Sequence, residues 1–221
     1  MLLYKISPDI EAFSTNIGDS TDFEVVLPLH QAHTALVRRV PEEIDDITGV
    51  DALITDRKGL RIGVKTADCV PVLLYDPIHS AIAAIHSGWK GTAQNIIKAT
   101  ISRMVKEFGT VPCDVRAVIG PCIHEEAFEV GDELVDIFRG GTRAEDCPFA
   151  HRLPHPENGI VKWHIDLPGI CHQQLMDCGV IDTSIETRPE CTWTMHDSFY
   201  SARRLGRDFG SQRILNCIKL L

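Results

Sequence analysis

Three side chains in this sequence combine types that bind transition metals: His33, Cys69 and His86. Cys69 stands in Thr66-Ala67-Asp68-Cys69-Val70-Pro71-Val72-Leu73-Leu74, and His86 in Ala83-Ala84-Ile85-His86-Ser87-Gly88-Trp89-Lys90-Gly91. Both runs read as buried strands that deliver a metal-capable group. Thiolate and neutral imidazole are the donors zinc prefers, and three protein ligands leave a fourth tetrahedral position for water or substrate, the catalytic pattern. The trio spreads over more than 50 positions with no Cys-x-x-Cys pair, so spacing alone does not exclude a packed core thiol at Cys69. His86 must be paired or solvated, because burying an unpaired polar group costs about 1–3 kcal/mol. Strand alternation sends Asp68 and Cys69 to opposite faces unless the strand bulges. Asp68 is then expected to anchor neighbouring backbone or His86, and it competes with His124 and the long loop for the role of general acid or base.

The loop Ser87-Gly88-Trp89-Lys90-Gly91-Thr92 has the physical features of an anion cradle: glycines for close backbone approach, Lys90 for charge and a helix N-terminus beyond. The Gly-x-x-x-x-Gly-Lys-Ser/Thr order of a nucleotide-triphosphate loop is absent. Two other chemistries fit the same residues. Cys69 or Cys122 could act as the nucleophile of a hydrolase with His86 as base. A metal-stabilised binding protein would instead close the shell with Cys122 or His124. A multicopper oxidase is the poorer reading, since none of the ten histidines forms a His-x-His pair.

The elements that must hold these residues follow from periodicity and turn chemistry. Val25–Leu29 and Ala35–Val37 read as short extended runs on either side of His33, and Ala52–Thr55 resumes that pattern after an acidic surface loop from Pro41 to Asp46. Arg61 to Tyr75 is nearly continuously apolar, as in a strand covered on both faces, and Asp76-Pro77 turns it into a partner strand from Ser80 to Ile85. Thr92 to Phe108 has helical spacing, with Thr92 as N-cap and Gly109 as terminator. Val115–Ile119 predicts a strand, Gly131 to Phe138 a helix and Arg139 to Asn158 a long loop. Asp166 is placed to cap a helix running through Cys178, and Ser211 to Leu221 ends in a strand.

With 221 residues, 44% hydrophobic and 24% charged, the chain has the composition of one globular domain with a sizeable core. A net charge of -9 argues against wrapping nucleic-acid phosphates. No long apolar span or leader-like start is evident, so a soluble cytoplasmic protein is expected. In that setting the eight cysteines read as thiols rather than a disulfide framework.

Five segments occur together in the order of one known family: Gln31-Ala32-His33, Thr66–Leu74, Ala84–Gly91, Ile119-Gly120-Pro121-Cys122-Ile123 and Phe199-Tyr200-Ser201-Ala202-Arg203-Arg204. From about Phe13 to the C-terminus the chain resembles the YfiH-like, laccase-domain family of purine nucleoside phosphorylases, formerly called polyphenol oxidases. The resemblance implies a single α+β domain over residues 1–221, with mixed sheets flanked by helices. It also implies a metal site at His33, Cys69 and His86, holding zinc or alternatively copper. The implied reactions are phosphorolysis of adenosine, inosine, guanosine and methylthioadenosine, and deamination of adenosine, by a monomer or homodimer. On that footing the triad and Asp68 are the expected catalytic residues. Gly88, Lys90, Arg203 and Arg204 are expected to meet substrate or phosphate. Thr34 stands where the family usually has glycine and Ser87 where it has alanine, and both are expected to narrow or polarise the pocket.

Overall fold

The computed structural model describes residues 1–41, 47–140, 147–154, 158–206 and 210–221. The acidic loop predicted from Pro41 to Asp46 lies outside the described residues beyond Pro41. In chain order the first strands are β1 (Leu2–Leu3), β2 (Ile10–Ser14), β3 (Val37–Arg39), β4 (Ala52–Thr55), β5 (Arg61–Thr66), β6 (Val70–Asp76) and β7 (Ala81–Ser87). Helices α1 (Trp89–Ala93) and α2 (Ile96–Phe108) follow, then β8 (Arg116–Ile119), β9 (Glu129–Val130), α3 (Asp132–Phe138), β10 (Ala150–Pro154) and β11 (Val161–Ile165). The chain ends with α4 (Leu167–Asp177), β12 (Ile185–Thr187), α5 (Ala202–Leu205) and β13 (Ile214–Leu220).

A mixed six-stranded sheet in the order β12-β8-β6-β7-β4-β3 forms the centre, and its β6 and β7 make the antiparallel hairpin expected from Asp76-Pro77. Alternation along these strands divides the apolar side chains between two cores. Val72, Leu74, Ala83 and Ile85 pack against Ile97, Ile101 and Met104 of α2 and Leu175 of α4. Leu73, Tyr75, Ile82 and Ala84 pack instead against Ile62, Val64 and Ile218 of the antiparallel sheet β1-β2-β13-β5. The central sheet is thus covered on both faces, which is why its strands read as unbroken apolar runs. Each fully buried aliphatic side chain contributes about 1.5–3 kcal/mol. A third sheet, β10-β11-β9, joins near α3. This is an α+β fold with mixed sheets.

Several local expectations need correction. The apolar run from Arg61 to Tyr75 is two strands in two different sheets, because the backbone takes a left-handed turn at Asp68 (φ 85°). Aspartate tolerates that conformation, and strong β-formers on both sides conceal it. The predicted helix from Thr92 is likewise broken: Asn95 is left-handed (φ 58°) and separates α1 from α2. Thr92 lies inside α1 and its hydroxyl meets Ser87 Oγ at 2.8 Å. Val25–Leu29 forms only an isolated bridge, Val26 to Ile62. The described part of the loop predicted from Arg139 to Asn158 contains β10. Other signals coincide with the structure. Gly109 (φ 76°) ends α2, and Asp166 Oδ1 accepts the Gly169 amide at 2.9 Å to cap α4.

Among the described residues no helix is long and apolar enough to cross a membrane. The cysteines are free thiols. A buried polar chain links the sheets next to the site: Tyr4 Oη bonds Ser14 Oγ, which donates to Asn216 Oδ1, and Asn216 Nδ2 donates to Thr66 Oγ1 at 2.9 Å. Mutual satisfaction of these groups pins the end of β5, where the chain turns toward Cys69.

Candidate metal centre

Register brings the first two ligands together. Pro71 of β6 faces His86 of β7 and Val70 faces Ser87, so Cys69, one residue before β6, comes alongside Gly88. His86 shares its face of β7 with Ile82 and Ala84, on the side of β5 and β13. His33 arrives on a loop whose backbone is left-handed at that residue (φ 58°). Gln31 fastens the loop to β5: its Nε2 donates to the Lys65 carbonyl and its Oε1 accepts the Lys65 amide, each at 2.8 Å.

Asp51, one residue before β4, organises the rest. It is fully buried, and its carboxylate accepts the backbone amides of Ala32 (3.2 Å), His33 (3.0 Å) and Thr34 (2.7 Å) and the Thr34 hydroxyl (2.8 Å). Its Oδ1 also meets His86 Nδ1 at 2.8 Å, which leaves Nε2 as the ligating nitrogen. Burial opposes ionisation of Asp51, but the His86 and Thr34 hydrogen bonds outweigh it and depress its pKa. Burial likewise disfavours a charged His86, yet the bonds to Asp51 and Cys69 raise its pKa. For Cys69, burial raises the pKa while His33 and His86 lower it more, to about 7.

The ligating atoms of His33, Cys69 and His86 all lie within 4.8 Å of one another, and among the described residues this is the cluster able to hold a metal. The two imidazole rings meet edge to face with centroids 4.9 Å apart. Two imidazole nitrogens and one sulfur form a donor set of the kind that transition metals take up. The triad opens into a cleft of about 400 Å³ whose wall includes His30, Lys65, Thr66, Ala202 and Arg213. Burial lowers the Arg213 pKa and the nearby Cys69 sulfur counters it.

A family model described as multi-copper polyphenol oxidoreductase laccase matches residues 10–220. The chain belongs to this family. It is 46% identical over 172 residues to a purine nucleoside phosphorylase of Bacteroides thetaiotaomicron, a match covering 78% of this chain and 61% of that relative. It is 37% identical over 196 residues to adenosine deaminase RL5 of an unknown prokaryotic organism, covering 85% of this chain and 72% of the relative. The solved structure of YfiH from Bacillus licheniformis superposes with a TM-score of 0.76 at 29% identity, covering 89% of this chain and 74% of the other. The chain therefore spans about three fifths of the Bacteroides relative's length.

The remaining residues of the laccase-domain motifs have other surroundings. Asp68 lies outside the triad: Oδ1 accepts Thr192 Oγ1 and Oδ2 accepts the Arg203 amide, both at 2.7 Å, while its carbonyl accepts the Ile123 amide at 2.9 Å. It stitches the Cys69 turn to three distant segments, and the carboxylate touching His86 is Asp51. Lys90 is exposed, with Nζ 5.4 Å from the Trp89 ring centroid. The Arg203 guanidinium donates to the Glu129 carbonyl at 3.0 Å, and that of Arg204 to the carbonyls of Thr192, Trp193 and Phe199, each at 2.8 Å. Lys90, Arg203 and Arg204 are not among the described residues lining the cleft. Thr34 and Ser87 do not line it either: the Thr34 hydroxyl is held by Asp51, and Ser87 faces Thr92 and Cys171 in the helix-side core. Cys122 is fully buried, with its pKa raised by that burial, and neither it nor His124 joins the triad.

Gly88 does belong beside the triad. A Cβ there would sit 3.0 Å from both Cys69 Sγ and His33 Cδ2. Its backbone (φ -69°, ψ 164°) suits any residue, so Gly88→Ala introduces crowding without backbone strain. This variant is expected to keep the wild-type melting temperature within a few degrees and to lose about tenfold in metal affinity, measured by competition with a chromophoric chelator.

Proposed function

We propose that this chain is a metal-dependent purine nucleoside phosphorylase acting on adenosine, inosine, guanosine and methylthioadenosine, with hydrolytic deamination of adenosine as a second activity. The observation that carries this reading is the incomplete donor set: two imidazoles and one thiolate converge at the head of an open cleft, with no fourth protein ligand among the described residues. The phosphorylase and deaminase names of the relatives support it.

Phosphorolysis places a phosphate oxygen against the anomeric carbon of the ribose while the bond to the purine breaks. Positioning and stabilisation of developing charge supply most of the acceleration. A zinc ion held by His33, Cys69 and His86 would supply a Lewis-acidic centre, and copper is compatible with the same donors. Asp51 fixes the tautomer of His86 and the path of the His33 loop, so the ligands are presented with little reorganisation. Asp68 holds the Cys69 turn against the segments that carry Thr192 and Arg203. Thr66, Ala67, Cys69 and His86 line the cleft that would receive the nucleoside.

The test incubates zinc-loaded protein with adenosine and with inosine, with and without phosphate, beside His86→Ala. Expected products are free purine and ribose-1-phosphate only when phosphate is present, and inosine from adenosine without it, all falling at least about 100-fold in the variant. A thiol-based hydrolase with Cys69 as nucleophile is a second reading, favoured by its lowered pKa. Activity that survives metal removal by a chelator would select that reading instead.

A further inference from the structure

Thr66 is the last residue of β5, and alternation turns its side chain to the same face as Ile62 and Val64, toward the central sheet. His86, which alternates with Ile82 and Ala84, faces back from β7. Thr66 lines the cleft together with Cys69 and His86, although only 1% of its surface is exposed. Its hydroxyl ends the buried polar chain that begins at Tyr4, and each link of that chain has a direction. The single Ser14 hydroxyl proton goes to Asn216 Oδ1, so Ser14 Oγ accepts from the Tyr4 phenol, which burial keeps protonated by raising its pKa. Asn216 Nδ2 donates to Thr66 Oγ1 at 2.9 Å and to the Ile214 carbonyl at 3.4 Å; that carbonyl can only accept, which fixes the amide in this orientation. Thr66 Oγ1 therefore accepts from inside the fold, and among the described residues no acceptor takes its own proton. Hydrogen bonds that run head to tail polarise one another, so the terminal hydroxyl is an oriented and strengthened donor at the cleft wall.

We propose that the Thr66 hydroxyl is a substrate-binding group that donates a hydrogen bond to the nucleoside beside the triad. This rests on the phosphorylase reading above and assigns a substrate contact outside the motif residues Gly88, Lys90, Arg203 and Arg204. A neutral donor with one proton suits a ribose oxygen or a purine ring nitrogen, whereas the charge of a phosphate is matched by charged donors. The buried chain sets the hydroxyl before the nucleoside arrives, so the contact forms without ordering a side chain. Tyr4, Ser14 and Asn216 act only through Thr66: they orient its proton and touch nothing in the cleft.

The experiment compares zinc-loaded wild type with Thr66→Val, Thr66→Ser and Ser14→Ala. It measures inosine binding by calorimetry, phosphorolysis against inosine and phosphate concentration, and zinc affinity. Thr66→Val keeps the shape and removes the donor; it is expected to raise the inosine Kd and KM about tenfold, while the phosphate KM and zinc Kd stay within about threefold. Thr66→Ser restores the hydroxyl and is expected to recover most of the loss. Ser14→Ala breaks the same buried chain without reaching the cleft, so it is expected to lower the melting temperature but to change the inosine Kd less than about threefold. Should Thr66→Val fail to fold, Thr66→Cys takes its place, since a thiol is a weak donor, and the inosine Kd is expected to rise in the same direction. An unchanged inosine Kd in the folded Thr66 variant, or an equal loss in Ser14→Ala, would overturn the assignment while the phosphorylase reading stands on wild-type turnover. If the wild type binds inosine without cleaving it, and the Thr66 variant loses that binding, the contact stands and the phosphorylase reading falls. If the wild type neither binds nor cleaves inosine, both fall.

Discussion

Asp51→Ala is expected to weaken zinc binding by about 10- to 100-fold, although Asp51 is not itself a ligand. The carboxylate holds two of the three ligands at once: Oδ1 orients His86 through Nδ1 at 2.8 Å and accepts the His33 amide at 3.0 Å. Without it the imidazole can ligate only after choosing a tautomer and ring position, and the left-handed backbone at His33 loses the bonds that favour it. Such a conformation costs about 1–3 kcal/mol when nothing holds it in place. Asp51→Asn keeps the volume and one accepting oxygen, so an intermediate affinity is expected. Competitive zinc titration reads the effect directly, and an alanine variant within twofold of wild type would show that His33 and His86 are held by packing alone. Activity should follow occupancy: at saturating zinc most of the rate should return in Asp51→Asn, and less in Asp51→Ala.

The contrast between Asp51 and the triad marks what a sequence makes legible. His33, Cys69 and His86 stand out because their types suit a metal and strand ends deliver them. Local signals also suffice for the β6–β7 hairpin and for α4, whose aspartate cap, early proline and following glycine all lie within a few residues. Asp51 gives no such signal; it is one acid before a buried strand, and its five bonding partners come from the His33 loop and β7. Lys65 and Arg213 line one cleft because β5 pairs with β13, which joins distant parts of the chain. The turn at Asp68 is hidden for a related reason. Its left-handed backbone is stabilised by Thr192 and the Arg203 amide, both far along the sequence, while the residues around it favour extended chain. Within the family segment Phe199–Arg204 the Arg203 amide holds Asp68, the Arg204 guanidinium ties three carbonyls together, and Ala202 lines the cleft.

Alkylation should separate Cys69 from the other thiols in the metal-free protein. Burial alone would raise its pKa, but hydrogen bonds from His33 and His86 hold it at about 7. Burial pushes Cys171 up to about 11 and Cys217 up to about 12. Because the thiolate is the nucleophile, at pH 7 about half of Cys69 is reactive, against about one part in a hundred for a thiol near 9. Iodoacetamide at neutral pH is thus expected to label Cys69 ahead of the buried Cys171 and Cys217, by a margin that its lower intrinsic nucleophilicity trims below the ratio of thiolate fractions. Its rate should rise with pH and level off above about 8, where an ordinary thiol is still gaining. Zinc should suppress the labelling, since a ligating thiolate is no longer available for attack. His86→Ala should move the inflection upward, because one of the two hydrogen bonds that lower the pKa is gone. Peptide mapping after a timed pulse measures all of these rates in one series. A Cys69 rate that is insensitive to zinc would remove Cys69 from the metal site, while an inflection near 9 would show that the imidazoles do not share its proton.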